Sequence, residues 1–253
     1  MERAVQLSQL LEEGKEVEVE DAFVLQSKKL LKVNMAAAGG QVLTKAGAMI
    51  AYQGQMQFTR QGSGGAGKWI KKKVSGEEFN LMSVSGQGDL FLADAANNII
   101  LLYMNNEALA VESMNLLAFT PSISWDIKRL KGASGMMTGG LWTVELQGTG
   151  YVALICKGDP LTLRVTPNEP TYTDPNATVA WYQGLEPSIH MDANLKSLGG
   201  LMGSRHGELF QLMFQGEGWV VVQPSEEVIQ SSLQTPGGGS GGAGGVLGGI
   251  LGT

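Results

Sequence analysis

The sequence predicts an all-β protein built from three tandem repeats, and three observations lead there. Glycine accounts for 36 of 253 residues, well above the roughly 7% of an average chain, and the excess is patterned. The stretches MSVSGQGDLFLAD (82–94), VELQGTGYVALI (144–155) and LMFQGEGWVVVQ (212–223) align on G-x-G, and their first glycines, Gly86, Gly148 and Gly216, lie 62 and 68 residues apart. An aliphatic-Ala-aromatic triplet recurs independently at Ile50-Ala51-Tyr52, Leu117-Ala118-Phe119 and Val179-Ala180-Trp181, with spacings of 67 and 62. Two landmarks in the same order, three times, mark a structural period of about 65 residues.

Taken along the chain, residues 1–19 form an N-terminal segment. Within it Ala4, Val5, Leu7, Leu10 and Leu11 recur at roughly helical spacing. The first β repeat spans 20–95, the second 96–156, the third 157–228, and a Gly-rich tail runs over 229–253. Ahead of the G-x-G, apolar residues alternate with polar ones, at Trp142, Val144 and Leu146 and again at Phe210, Leu212 and Phe214, which is the period of a half-buried strand. A β-prone run such as Trp219–Val222 follows the glycines. The pairs Gly86 and Gly88, Gly148 and Gly150, and Gly216 and Gly218 therefore read as structural turns, each a tight hairpin or a bulge. Leu161–Val165 reads as a strand, with turns at Pro167–Pro170 and Asp174–Asn176. Glu107–Ala110 reads as a short helical connection.

The run VSGEEFNLMSVSGQGDLFLA (74–93) after a glycine-and-lysine loop, the later copy RHGELFQLMFQGEGWVVVQ (205–223), and a tail rich in Gly, Leu and Ile resemble the altered inheritance of mitochondria protein 24 family. The resemblance covers about residues 20–230 and rests on the combination of motifs. It implies a fold similar to the tryptophan RNA-binding attenuation protein: a β-sandwich unit of the double-stranded β-helix class, repeated three times about a pseudo-threefold axis. Fungal relatives are associated with inner-membrane organisation. The family carries no established catalytic residues, so the resemblance transfers none, and it points to a bacterial-type member.

A formal net charge of −6 and a pI near 5.0 repel nucleic acid and anionic lipid from the molecule as a whole, so any such binding must be local. The single cysteine, Cys156, has no intrachain disulfide partner and sits in the apolar run 152–156, as a small core residue would. The N-terminus lacks a basic start followed by an apolar core. No apolar run approaches the roughly 20 residues of a spanning helix. A cytoplasmic protein is expected.

The segment GSGGAGKWIKKK (62–73) matches the phosphate-binding pattern G-x-x-x-x-G-K and then fails, because Trp69 stands where a magnesium-holding hydroxyl is needed. Its context inside a β repeat is also wrong, since such a loop joins a strand to a helix. Nucleotide hydrolysis is not expected. Lys68, Lys71, Lys72 and Lys73 with Trp69 form a basic cluster able to hold a phosphate, an RNA backbone or a lipid headgroup. A charged edge that discourages sheet aggregation is the simpler account. His190 with Asp192 and His206 with Glu208 have His-x-carboxylate spacing, yet nothing in the sequence makes the pairs converge on a metal. Ser204 near His206 is not a triad. The tail PGGGSGGAGGVLGGILGT (236–253) reads as a linker ending in an apolar patch.

These readings converge on a non-enzymatic oligomeric scaffold, a homotrimer without cofactor, with an unidentified protein partner and a membrane surface as further contacts. The alternative is a binding module for a small ligand, RNA or lipid headgroup acting through Lys68–Lys73.

Overall fold

The structure is a computed structural model that describes residues 6–18, 20–60, 81–130, 142–191 and 210–226. It is predominantly β. The one helix among the described residues, α1 (Leu7–Glu13), falls where the helical spacing was read, and Leu7, Leu10 and Leu11 are exposed on it. The strands that follow are β1 (Phe23–Ser27), β2 (Leu30–Asn34), β3 (Gln41–Lys45), β4 (Met49–Arg60), β5 (Leu81–Leu92) and β6 (Asn98–Glu112). A short 3-10 turn, Ser113–Asn115, leads into β7 (Leu116–Phe119), β8 (Ile123–Arg129), β9 (Trp142–Cys156) and β10 (Leu161–Val165). The remainder are β11 (Thr171–Thr173), β12 (Thr178–Tyr182), β13 (Ser188–Met191), β14 (Phe210–Phe214) and β15 (Gly218–Val222).

Among the described residues, twelve of these strands form one hydrogen-bonded network and β11, β14 and β13 form a separate three-stranded sheet. Every strand pairing among the described residues is antiparallel. β10 covers the run Leu161–Val165 read as a strand, and a Thr166–Glu169 bridge closes a turn beside Pro167.

One local arrangement occurs three times. Each alanine triplet pairs with the strand that follows a G-x-G: Ala51 with Phe91, Ala118 with Ala153, Ala180 with Val221. Each ladder slips by one residue just before its alanine, between Met49 and Ala51, Leu116 and Ala118, and Thr178 and Ala180. An extra residue in one strand sharpens the local twist, so the same bend is imposed at the same place in each unit. The strand on the far side of the post-glycine segment is also equivalent: β2 on Leu90–Leu92, the first half of β6 on β9, β10 on β15.

The turn reading of G-x-G needs correction in two units. β5 and β9 run through Gly86 and Gly88, and through Gly148 and Gly150, without reversing. The four glycines have φ of 144°, 116°, 135° and 154°, a region that essentially only glycine enters. In the first copy the chain bends while its ladder with β4 continues, and in the second β6 bulges between Met104 and Glu107 opposite Gly148 and Gly150. β5 keeps β4 on one side throughout, and on the other leaves β3 at Ser85 and meets β2 at Asp89. Only the third copy separates two strands, with Gly216 between β14 and β15 and Gly218 opening β15.

Glu107–Ala110 is likewise strand, in the second half of β6, rather than a helical connection. It is held between β9 and β12, and pairing on both edges outweighs the weak helical preference of Glu, Ala and Leu.

The buried apolar residues form three clusters. One gathers Phe23, Leu31, Val84, Leu90 and Leu117, a second Phe119, Ile123, Leu146 and Val152, and a third Trp181, Leu185, Leu212 and Phe214. Cys156 lies within the second cluster and is buried, as read.

Candidate functional site

The three alanine triplets share sequence, pairing and bulge, but not burial. Leu117, Ala118 and Phe119 are each 0% exposed, and Val179, Ala180 and Trp181 are at most 4% exposed. Ile50 is 56% and Tyr52 46% exposed, and Ala51 is exposed as well. The reason lies in the second edge of each strand. β7 is covered on that edge by β3 and β12 by β6, whereas among the described residues Met49–Tyr52 of β4 pairs only with β5. An aliphatic and an aromatic side chain on an unpaired edge form a ready template for another strand.

The floor beside this edge is made by glycine. A Cβ at Gly54 would collide with the Gln87 carbonyl oxygen, one at Gly86 with that of Gln55, and one at Gly88 with that of Gln53. Without side chains there, β4 and β5 approach closely and leave a shallow depression lined by Tyr52, Gly54, Met56, Gly86 and Gly88. Tyr52 packs edge-on against Phe58 with ring centroids 5.4 Å apart.

Charge anchors the surroundings. Lys32 is buried on β2, and its Nζ lies 3.0 Å from Glu16 and 3.2 Å from Asp89. Burial opposes its charge, but the hydrogen bonds it donates to Glu16 and Asp89 outweigh that and hold its pKa above the usual lysine value. The same bond from Lys32, with one from Gln53, holds the Glu16 carboxyl below its usual range. Gln53 Nε2 donates to Glu16 Oε1 at 2.7 Å, which ties the N-terminal segment to the exposed stretch of β4. Deeper, Lys45 Nζ meets Asp94 Oδ2 at 2.6 Å and donates to the Met114 carbonyl at 3.1 Å. That pair joins β3 to the turn ahead of β7.

The other residues singled out in the sequence are scattered. Lys68, Trp69, Lys71, Lys72 and Lys73 lie outside the described residues, as do Asp192, Ser204, His206, Glu208 and the tail from 229. Flanking the lysine segment, β4 and β5 are antiparallel partners, which is a strand-to-strand connection. His190 is exposed on β13 with its ring 5.1 Å from that of Tyr172. Among the described residues no three His, Cys, Asp or Glu side chains converge. Cys156 Sγ donates to the Gly158 carbonyl at 3.1 Å, and burial with the nearby Asp159 charge pushes its pKa up to about 11. Such a thiol is a poor nucleophile. No helix among the described residues is long and apolar enough to cross a membrane.

Comparison with known proteins then bears on the whole chain. The AIM24 family, described as mitochondrial biogenesis AIM24, matches residues 23–225. The chain belongs to the AIM24 family. Among solved structures, the X-ray structure of a Streptococcus pyogenes protein is similar at a TM-score of 0.60 and 19% identity. That likeness covers 80% of this chain and 92% of the streptococcal one. At that identity the likeness concerns the fold, so this AIM24 chain shares its β architecture with a bacterial protein. Among curated proteins, none matches the chain.

The sequence displayed the triplets but not their difference in exposure. What separates them is the covering strand: β3 and β6 lie on the later copies, and among the described residues only β5 pairs with Met49–Tyr52.

Proposed function

We propose that this AIM24-family protein is a non-enzymatic scaffold that works as a homo-oligomer, a trimer, built from three attenuation-protein-like β-sandwich repeats. The observation that carries the reading is the exposed Ile50-Ala51-Tyr52 edge, set against two equivalent triplets that are buried under a neighbouring strand. An edge of this kind is a liability unless something covers it, and closed homo-oligomers are the common solution. The recurring bulge and the recurring partner of each triplet support the repeat reading. The family's description as mitochondrial biogenesis, and the membrane organisation associated with its fungal members, fit a protein that holds others in place.

Native mass spectrometry of protein purified without added ligand tests this. The expected mass is three times 26.8 kDa with no small molecule retained. A species that stays at 26.8 kDa across the micromolar range sinks the scaffold, and a stoichiometric bound ligand makes the protein a receptor or an enzyme instead.

A further inference from the structure

We propose that the oligomer forms head to tail: the Met49–Tyr52 edge of one copy adds as an antiparallel strand to β11, Thr171–Thr173, of the next. This rests on the scaffold reading above and gives it a specific joint.

The chain carries two finished examples of that joint. In the first, β3 meets β7 with Leu43 opposite Phe119 and Thr44 opposite Ala118. In the second, β6 meets β12 with Ala110 opposite Trp181, Val111 opposite Ala180 and Leu109 opposite Tyr182. In both, the strand of one repeat that pairs with the pre-glycine segment receives the alanine triplet of the following repeat.

The third repeat has the same receiving strand. Leu43, Ala110 and Tyr172 pair with Ser83, Glu145 and Met213 respectively. Each of those partners stands three residues before the first glycine of its G-x-G, at Gly86, Gly148 and Gly216. Tyr172 is thus the counterpart of Leu43 and Ala110, and β11 that of β3 and of the second half of β6. Among the described residues β11 pairs only with β14, so its outer edge is open.

The first repeat supplies the only triplet whose own outer edge is open among the described residues. The open donor and the open acceptor sit in different sheets of one chain, and no pairing connects them. A second copy brings each what it lacks. Applying the internal register puts Tyr172 opposite the neighbouring copy's Tyr52, Thr173 opposite its Ala51, and Thr171 opposite its Gln53.

The side chains suit those positions. Tyr52 and Tyr172 are 46% and 44% exposed, and they are among the few large apolar groups left on the surface. A directly opposed aromatic pair is a favourable cross-strand contact. Alanine faces threonine in the finished β3–β7 joint, and it does so again here. Because donor and acceptor are different surfaces, the contact is heterologous. Repeated from copy to copy it closes a ring or extends a filament.

The test uses the full chain. Tyr52→Cys and Tyr172→Cys are purified separately, mixed and mildly oxidised. The buried Cys156, with its thiol near pKa 11, does not compete. Directly opposed residues on paired strands fall within disulfide reach. The expected product is a disulfide between the two variants, with little or none when either is oxidised alone. Tyr52→Cys paired with Glu169→Cys, out of register, should give several-fold less. Tyr172→Arg and Tyr52→Arg, both at exposed positions, should each bring the native mass down to 26.8 kDa.

An oligomer whose mass survives both substitutions overturns the joint and leaves the scaffold reading standing. A wild-type monomer overturns both. A double Tyr52→Cys/Tyr172→Cys chain that bridges internally shows that the edge is met within the chain and overturns the second copy as its occupant. Self-linking of Tyr52→Cys alone, which needs a two-fold contact, also overturns the proposal.

Discussion

Lys45 and Asp94 meet at 2.6 Å with side chains only 5% and 1% exposed. Asp94 Oδ1 has no hydrogen-bond partner among the described residues. Removing one partner of such a pair leaves a buried charge without compensation, so Lys45→Met should cost about 3–5 kcal/mol in chemical unfolding. Lys45→Met with Asp94→Leu should recover most of that, since an apolar pair of similar volume has no charge to desolvate. If the double variant is no more stable than the single, the pair contributes something other than mutual neutralisation. The Lys32 cluster behaves differently because it reaches the surface. Glu16 has its folded pKa below the usual 4.5, so its contribution is present above that pH and fades as pH falls through the folded value. Glu16→Gln should therefore lower stability at pH 7 by under about 1 kcal/mol, given its 39% exposure. The difference from wild type should shrink as pH falls from 4.5 through the folded value and vanish below it. A gap that does not shrink at all as pH falls would mean that packing of Glu16, not its charge, is what matters.

At the scale of elements, the glycines in β5 are the feature on which the bend depends. Gly86 combines φ of 144° with a collision between any Cβ and the Gln55 carbonyl. Gly86→Ala should lose about 1–3 kcal/mol from backbone strain alone, read as a lower urea midpoint. Gly39→Ala, with φ of 77° but nothing within 4 Å of an added Cβ, should lose less. Equal losses would show that the close approach of β4 to β5 is unimportant. The G-x-G was legible in the sequence as a period but not as a conformation. A glycine pair between two β-prone runs is compatible with a reversal or with a bend, and the choice depends on β4 and β6, long partners that pair on both sides of the glycines, β4 without a break and β6 with a bulge between Met104 and Glu107. Glu107–Ala110 was misread for a related reason: local propensity is weak beside a strand paired on both edges.

For the whole molecule, the β class was legible because alternation and turn residues are local signals, and the triplets carry a period of their own. The candidate surface was less so. Ile50-Ala51-Tyr52 and Leu117-Ala118-Phe119 are chemically alike, and what separates 56% exposure from 0% is whether a described strand covers the outer edge. That is a property of topology. The two finished joints, β3 with β7 and β6 with β12, lie within one continuous chain. Covalent linkage holds them at the high effective concentration of a tether, whereas a joint between copies answers to bulk concentration. If copies join as proposed, dilution cuts the assembly only at its Tyr52–Tyr172 seams and releases intact chains, and the level of this protein sets how many seams are closed.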